Sequence, residues 1–154
     1  MSKSKNSILL KDTSKNSILR LVLNDEKNRN ALSEDMIIEL NEEIQKCNLD
    51  DSIRVIIISA IGSTFSSGHN LKDVTNARKH EDEGDAYFEN LFSRCSELMK
   101  NIVNCSKPVI AEVAGHATAA GCQLVASCDL AVASENAEFA TPGVNIGFLS
   151  LIHI

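Results

Sequence analysis

The sequence predicts an α/β fold with a mostly parallel sheet, and three stretches carry that prediction. Residues 107–133, KPVIAEVAGHATAAGCQLVASCDLAVA, read as strand, tight turn, helix, strand. Residues 53–60, IRVIIISA, form a β-branched run of strand length. Between a first strand at residues 18–23 and that run lies an amphipathic helix. A strand–helix–strand order joins parallel strands by a crossover.

Taken in order, residues 7–10 and 18–23 read as two strands, with the polar segment 11–16 as the turn of a hairpin. Ile18, Arg20 and Val22 alternate with Leu19, Leu21 and Leu23, and the mostly apolar character of both sets predicts burial on two faces. Residues 24–30, NDEKNRN, form a charged loop. Ser33 is an N-cap followed by Glu34 and Asp35, acids that the helix dipole favours in a first turn. Ile37, Leu40, Ile44 and Cys47 recur at helical spacing, so this helix has one buried face and ends near Asn48.

Residues 62–73, GSTFSSGHNLKD, come after the second strand as a Ser/Gly-rich turn, with a helical turn starting at Leu71. Gly68 there permits an unusual backbone angle. The charged segment 74–84 reads as a solvated, mobile linker. Residues 87–102 carry Phe88, Leu91, Phe92, Cys95, Leu98, Met99 and Ile102 on one stripe, a second amphipathic helix with a core-facing side. Pro108 then opens the apolar run Val109, Ile110, Ala111, Val113 and Ala114, which Gly115 interrupts. Residues 117–126 are rich in small side chains and read as a closely packed helix, and 128–133 as a further short strand. A strand feeding a helix across a small-residue turn leaves free N–H groups at the helix start, suited to a developing negative charge. Residues 134–138 read as a polar turn and 139–147, FATPGVNIG, as a loop.

Composition narrows the classes. The chain has 154 residues, enough for one domain, with 44% hydrophobic and 23% charged content. A net charge of −6 opposes a nucleic-acid groove or an anionic-membrane surface, so neither is expected as a partner. Cys47, Cys95, Cys105, Cys122 and Cys128 are odd in number and form no CxxC pair, which fits reduced thiols. His69, His80, His116 and His153 lack metal-ligand spacing, so no metal site is expected. The most apolar stretch is broken by Glu112, His116, Gln123 and Asp129, which excludes a membrane span there. Residues 1–12 have neither the apolar run of a signal sequence nor the Arg-rich, acid-poor character of a transit peptide. The compartment expected on that ground is the cytoplasm, or a mitochondrion if the N-terminus has been processed.

Three segments now carry a resemblance: NRNALS (28–33), FSSGHNLKD (65–73) and the block 107–134. In order and spacing, from about residue 7 to 147, the chain resembles the enoyl-CoA hydratase/isomerase (crotonase) superfamily. The resemblance implies a crotonase (ClpP-like) fold: repeated ββα units forming a spiral of mostly parallel sheets, here incomplete at the C-terminus. It implies an acyl-CoA thioester as ligand, with coenzyme A as part of the substrate and no separate cofactor. It also implies two backbone N–H groups on a thioester oxygen as that oxygen becomes an enolate. By motif these belong to His69, after Gly68, and to Ala120, before Gly121. Such a donor is worth ~3–4 kcal/mol in a dry site. Ser67, Gly68, His69, Asn70, Leu71, Lys72, Ala120 and Gly121 would contact substrate. Arg29 and Ala31 would lie near its adenine and phosphate end.

The departures from the family pattern bear on the reaction. Family members that hydrate 2-enoyl-CoA use two glutamates, and this chain has Gln123 and Gly143 in those places. Neither titrates, so ordinary hydratase chemistry is not expected, nor the isomerase arrangement that needs a carboxylate at Gly143. What remains is an acyl-CoA site with its thioester donors, serving an altered enzyme, a weak hydratase, isomerase or thioesterase using other residues, or a non-catalytic binder. Glu112 reads as a salt-bridge or surface residue, Asp129 as a cap or pairing residue near the start of a strand, Cys122 as a packed small residue, and His116 as a structural loop histidine that also has the reach to serve the pocket chemically. The His69 side chain is a further candidate for the chemistry. No Ser/His/Asp arrangement lies on the loops that match the Clp-type proteases of the wider fold. Residues 1–147 are expected to form the core. Residues 148–154, FLSLIHI, do not resemble the corresponding part of family members and read as a truncation or artefactual tail, which would leave apolar surface exposed. Full-length members form trimers or hexamers, an assembly that this shorter chain is not required to share.

Overall fold

Leu19, Leu21 and Leu23 put one side of a strand into the core, and the rest of the main sheet is laid beside it. The structure is a computed structural model and describes residues 7–14 and 17–146. Strand β1 (Leu9–Thr13) pairs antiparallel with β2 (Ile18–Leu23). Next to β2 lie β3 (Val55–Ala60), β5 (Val109–Val113) and β7 (Leu130–Ala133), all parallel, giving a five-stranded sheet in the order β1-β2-β3-β5-β7. A second sheet, all parallel, has the order β4-β6-β8, from Thr64–Ser66, His116–Thr118 and Glu138–Ala140. Each pair β3–β4, β5–β6 and β7–β8 sends one strand to each sheet and leads into helical residues. That is the repeated ββα spiral that the family resemblance implies.

Helix α1 (Glu34–Asn48) begins where the capping residue dictates: Ser33 Oγ accepts the Met36 N–H at 3.3 Å. It buries Met36, Ile37, Leu40, Ile44 and Cys47. Helix α3 (Asp85–Val103) buries Leu91, Cys95, Leu98, Met99 and Ile102, and is tied to α1 by Asn101 donating to Asn41 at 2.7 Å. Both helices cover one face of the main sheet, whose inward residues Leu21, Leu23, Ile56, Ile58, Val109 and Ala111 complete the core.

Several expectations are corrected. β1 runs on through Lys11, Asp12 and Thr13, because an edge strand tolerates polar side chains on its open side. β2 is fully buried on one face only: Ile18, Arg20 and Val22 are half-buried, and Arg20 pairs with Glu112 there at 2.7 Å. The segment 74–84 is not wholly a linker, since α2 (Leu71–Ala77) continues into it and buries Val74 and Ala77 at a helical interval. The segment 117–126 is not one helix. Residues 116–118 form β6, and α4 (Ala120–Ser127) starts only after Ala119 takes φ 51°, ψ −123° and breaks the strand. The turn and loop assigned to residues 134–147 contain β8 and a 3₁₀ segment, Pro142–Ile146. The tail assigned to 148–154 lies outside the described residues. β7 is exposed on both faces, with Leu130 and Val132 61% and 63% accessible.

The packing separates two similar leucines. Leu40→Ala should lower unfolding stability by ~2–5 kcal/mol, because the cavity sits in the closed α1 face. Leu49→Ala, at a residue 85% exposed beyond the same helix, should change it by less than ~0.5 kcal/mol. Urea unfolding midpoints of the two variants test this.

Candidate functional site

The site is built on a buried asparagine. Asn30 is fully buried and makes three side-chain hydrogen bonds: its Oδ1 accepts the Asp25 N–H at 2.8 Å, and its Nδ2 donates to the carbonyls of Ile61 (2.9 Å) and Thr64 (2.7 Å). Arg29 and Asn30 both hold left-handed backbone, φ 56° and 49°, which asparagine tolerates better than most residues. The loop so fixed presents its main chain to the next one. Ser67 donates to the Arg29 carbonyl at 3.1 Å, and Leu32 donates to the Gly68 carbonyl at 2.8 Å. The Leu32–His69 bridge is parallel, a pattern that engages the residues flanking His69 and turns the His69 N–H to the other side.

The second loop meets the first main chain to main chain. Gly68 has φ +83°, and a Cβ placed on it would lie 2.9 Å from Ala119 Cβ and 3.0 Å from the Ala120 nitrogen. Gly121 is closer still to its neighbour: an added Cβ there would lie 2.4 Å from the Ser66 carbonyl oxygen. Glycine at 68 and 121 is therefore what lets β4 and the start of α4 touch. Ala119 donates to the Ala140 carbonyl at 2.9 Å, which leaves Ala120 as the first amide of α4. Among the described residues, neither the His69 nor the Ala120 N–H donates to a backbone carbonyl. Two preorganised amides on adjoining loops, one at a helix start, can hold an oxygen that gains negative charge.

Two cavities flank this seam. One, of about 410 Å³, is lined by Lys27, Asn28, Arg29, Ala31, Ser67, His69, Asn70, Leu71 and Lys72. It brings together seven of the residues assigned to substrate, while Gly68, Ala120 and Gly121 form the seam itself. Three cations on its wall suit an anionic ligand. The other, of about 370 Å³, lies between α3 and α4, lined by Phe92, Cys95, Ser96, Met99, Lys100, Val103, Asn104 and Gln123. Its walls are mainly apolar. Sequence reasoning missed this cavity, because the stripe on α3 gives the same pattern whether it meets a packed core or an open space.

His69 belongs to the first cavity and touches a residue of the second. It lines the cationic cleft, and its ring meets the Phe92 ring edge-on at 5.9 Å between centroids. Its Nδ1 lies 3.5 Å from the Leu32 carbonyl oxygen, and its Nε2 is buried with no partner among the described residues. Burial holds its pKa below the ordinary histidine value, partly opposed by the Leu32 carbonyl. Gln123 Oε1 is likewise buried without a partner.

The remaining candidates fall away from the seam. Glu112 points outward, and its hydrogen bond to Arg20 pulls its pKa down. His116 pairs with Glu138 at 3.1 Å and lines neither cavity. Burial raises the Cys122 thiol and pushes Cys95 to about 11, so neither is an activated nucleophile. Asp129 accepts the Val109 N–H at 2.8 Å, fixing the start of β5 against β7. Gly143 stands in the 3₁₀ segment and lines neither cavity. All five cysteines are free thiols.

Known proteins share this arrangement of elements. A family model described as enoyl-CoA hydratase/isomerase matches residues 13–152. The mitochondrial enoyl-CoA hydratase domain-containing protein 3 of Xenopus laevis is 53% identical over 130 residues, 84% of this chain and 42% of that protein. A crystal structure of enoyl-CoA hydratase from Mycobacterium smegmatis superposes with a TM-score of 0.86 at 41% identity, covering 96% of this chain and 55% of that one. Human enoyl-CoA hydratase domain-containing protein 3 superposes with a TM-score of 0.84 at 45% identity, covering 94% and 55%. The chain spans about half the length, or less, of these relatives.

The seam also sets two stability outcomes. Asn30→Ala removes three buried hydrogen bonds and should cost about 3 kcal/mol by denaturant unfolding. Ala119→Gly should instead stabilise by about 1 kcal/mol, since glycine holds φ 51°, ψ −123° without the strain of a Cβ.

Proposed function

The chain belongs to the enoyl-CoA hydratase/isomerase family and has its crotonase fold, and from that premise we propose that it binds an acyl-CoA thioester and stabilises the thioester enolate. The His69 and Ala120 amides take the thioester oxygen. The observation that carries this reading is the approach of Gly68 to Ala120, which brings two amides without backbone acceptors onto one seam. Lys27, Arg29 and Lys72 would receive the phosphates of coenzyme A, and the cavity beside Phe92 the acyl tail. The vertebrate relatives are named as mitochondrial proteins, and acyl-CoA metabolism in that compartment is part of the proposal. Assembly into the trimers or hexamers of full-length members is not required by it.

Ordinary hydration is not part of the proposal. Adding water across a double bond needs one group to take a proton and another to give one. Gln123 and Gly143 can do neither. General acid–base catalysis is typically worth 10²–10⁴-fold. A second reading, an acyl-CoA binder without chemistry, is favoured by Gln123 alone, a polar side chain that α4 puts on the apolar cavity and that cannot titrate.

The test pairs calorimetric binding of acetyl-CoA with crotonyl-CoA hydration. The expected result is binding that weakens on Lys72→Glu, with hydration at least about 100-fold below that of a two-glutamate relative. Hydration at the relative's rate would overturn the loss of acid–base groups. No binding of acetyl-CoA would overturn the ligand.

A further inference from the structure

We propose that His69 is the proton acceptor of this site, its Nε2 taking a proton from the carbon next to the thioester carbonyl. The inference rests on the acyl-CoA reading above and adds a reaction to it. The C–H bond breaks and its electron pair moves into the thioester. The enolate oxygen rests on the two amides and the proton on Nε2. The proton on Nε2 is replaced by one from solvent, and that one is delivered to the same carbon, so the net change is exchange of an α-hydrogen with solvent. No oxidant or second substrate is needed.

Four observations lead there. First, the Leu32 carbonyl can only accept, so the 3.5 Å approach of His69 Nδ1 favours the tautomer with its hydrogen on Nδ1, which has the lone pair on Nε2. Second, that Nε2 is buried and has no donor, in a side chain of a residue only 8% exposed. A buried acceptor left without a donor is unfavourable, and such groups are retained where a ligand or a reaction uses them. Third, the ring lines the cationic cleft and meets edge-on the ring of Phe92, which lines the apolar cavity, so one side-chain contact separates the two linings. A ligand with phosphates at one end and an apolar tail at the other has its reacting centre at that junction. Fourth, the alternatives on the same walls are unsuited. Lys27, Arg29, Lys72 and Lys100 are cations, Cys95 is pushed to about 11, and Gln123 does not titrate. Burial keeps the His69 ring neutral at physiological pH, the form a base requires.

The experiment incubates the protein with acetyl-CoA in D₂O and reads deuterium in the acetyl group by mass spectrometry, with binding measured separately by calorimetry. Wild type, His69→Gln and His69→Ala are compared, and circular dichroism checks that each is folded. Both substitutions keep the residue-69 amide. The expected result is exchange by wild type and a loss of about 100-fold or more in both variants, each read at an acetyl-CoA concentration that calorimetry shows to be saturating for it. The wild-type rate should fall on acidification with a midpoint below ~6.5, the ordinary histidine value. Should His69→Ala fail to fold, His69→Gln and the wild-type pH profile decide. Binding by wild type with no exchange, or exchange by His69→Gln at the wild-type rate, overturns this inference and leaves the ligand reading standing. A wild type that binds no acetyl-CoA overturns both.

Discussion

Everything at the seam depends on two stretches of main chain lying closer than side chains allow. Gly68 and Gly121 sit where an added methyl would strike the Ala120 nitrogen or the Ser66 carbonyl. With both positions bare, the end of β4 and the start of α4 come into contact, and among the described residues the amides of His69 and Ala120 have no backbone partner. The geometry is held from two sides. Asn30 ties its own loop to Ile61 and Thr64, Arg29 and Leu32 beside it hold Ser67 and Gly68, and the second sheet, β4-β6-β8, fixes the turn into α4. Backbone donors explain why a site of this kind accepts a histidine at position 69 and an alanine at 120: holding an oxygen by main-chain amides asks nothing of their side chains.

That freedom gives the His69 side chain its interest. Because the amide does one task, the ring can do another. It lines the cationic cleft and meets Phe92 of the apolar cavity, with one nitrogen turned to a carbonyl and the other, among the described residues, unmatched. Gln123, on the helix that starts at the seam, carries the other unmatched buried atom. The pattern differs from a two-carboxylate site, where acid and base come from α4 and the loop after β8. Here, among the described residues lining the two cavities, the side chain we propose as base belongs to the loop after β4.

Long, periodic elements were legible in the sequence. Ser33, Ile37, Leu40 and Ile44 marked the start of α1 and its buried face, and the run Val55 to Ala60 could hardly be other than a strand. The strands of the second sheet were not. Each has three residues, too few for alternation to register, and β6 is made of His116, Ala117 and Thr118, which read equally well as the start of a helix. Helix α2 was hidden in a charged run where only Val74 and Ala77 turn inward. At the site, the resemblance marked Arg29, Ala31 and residues 67–72, and the cleft gathers all of these but Gly68. The role of Asn30 was invisible, because its three partners are main-chain groups on other segments. The cavity between α3 and α4 was invisible because an apolar stripe does not say how tightly it is covered.

The most direct measurement of the central idea is a two-dimensional ¹H–¹⁵N titration that tracks the His69 and Ala120 amides as acetyl-CoA is added, with the free thiol, coenzyme A, as control. The account predicts downfield shifts of both amide protons with the thioester and neither with the thiol, since only the thioester brings a carbonyl oxygen to the seam. A thioester that binds while one or both amides stay still would contradict it.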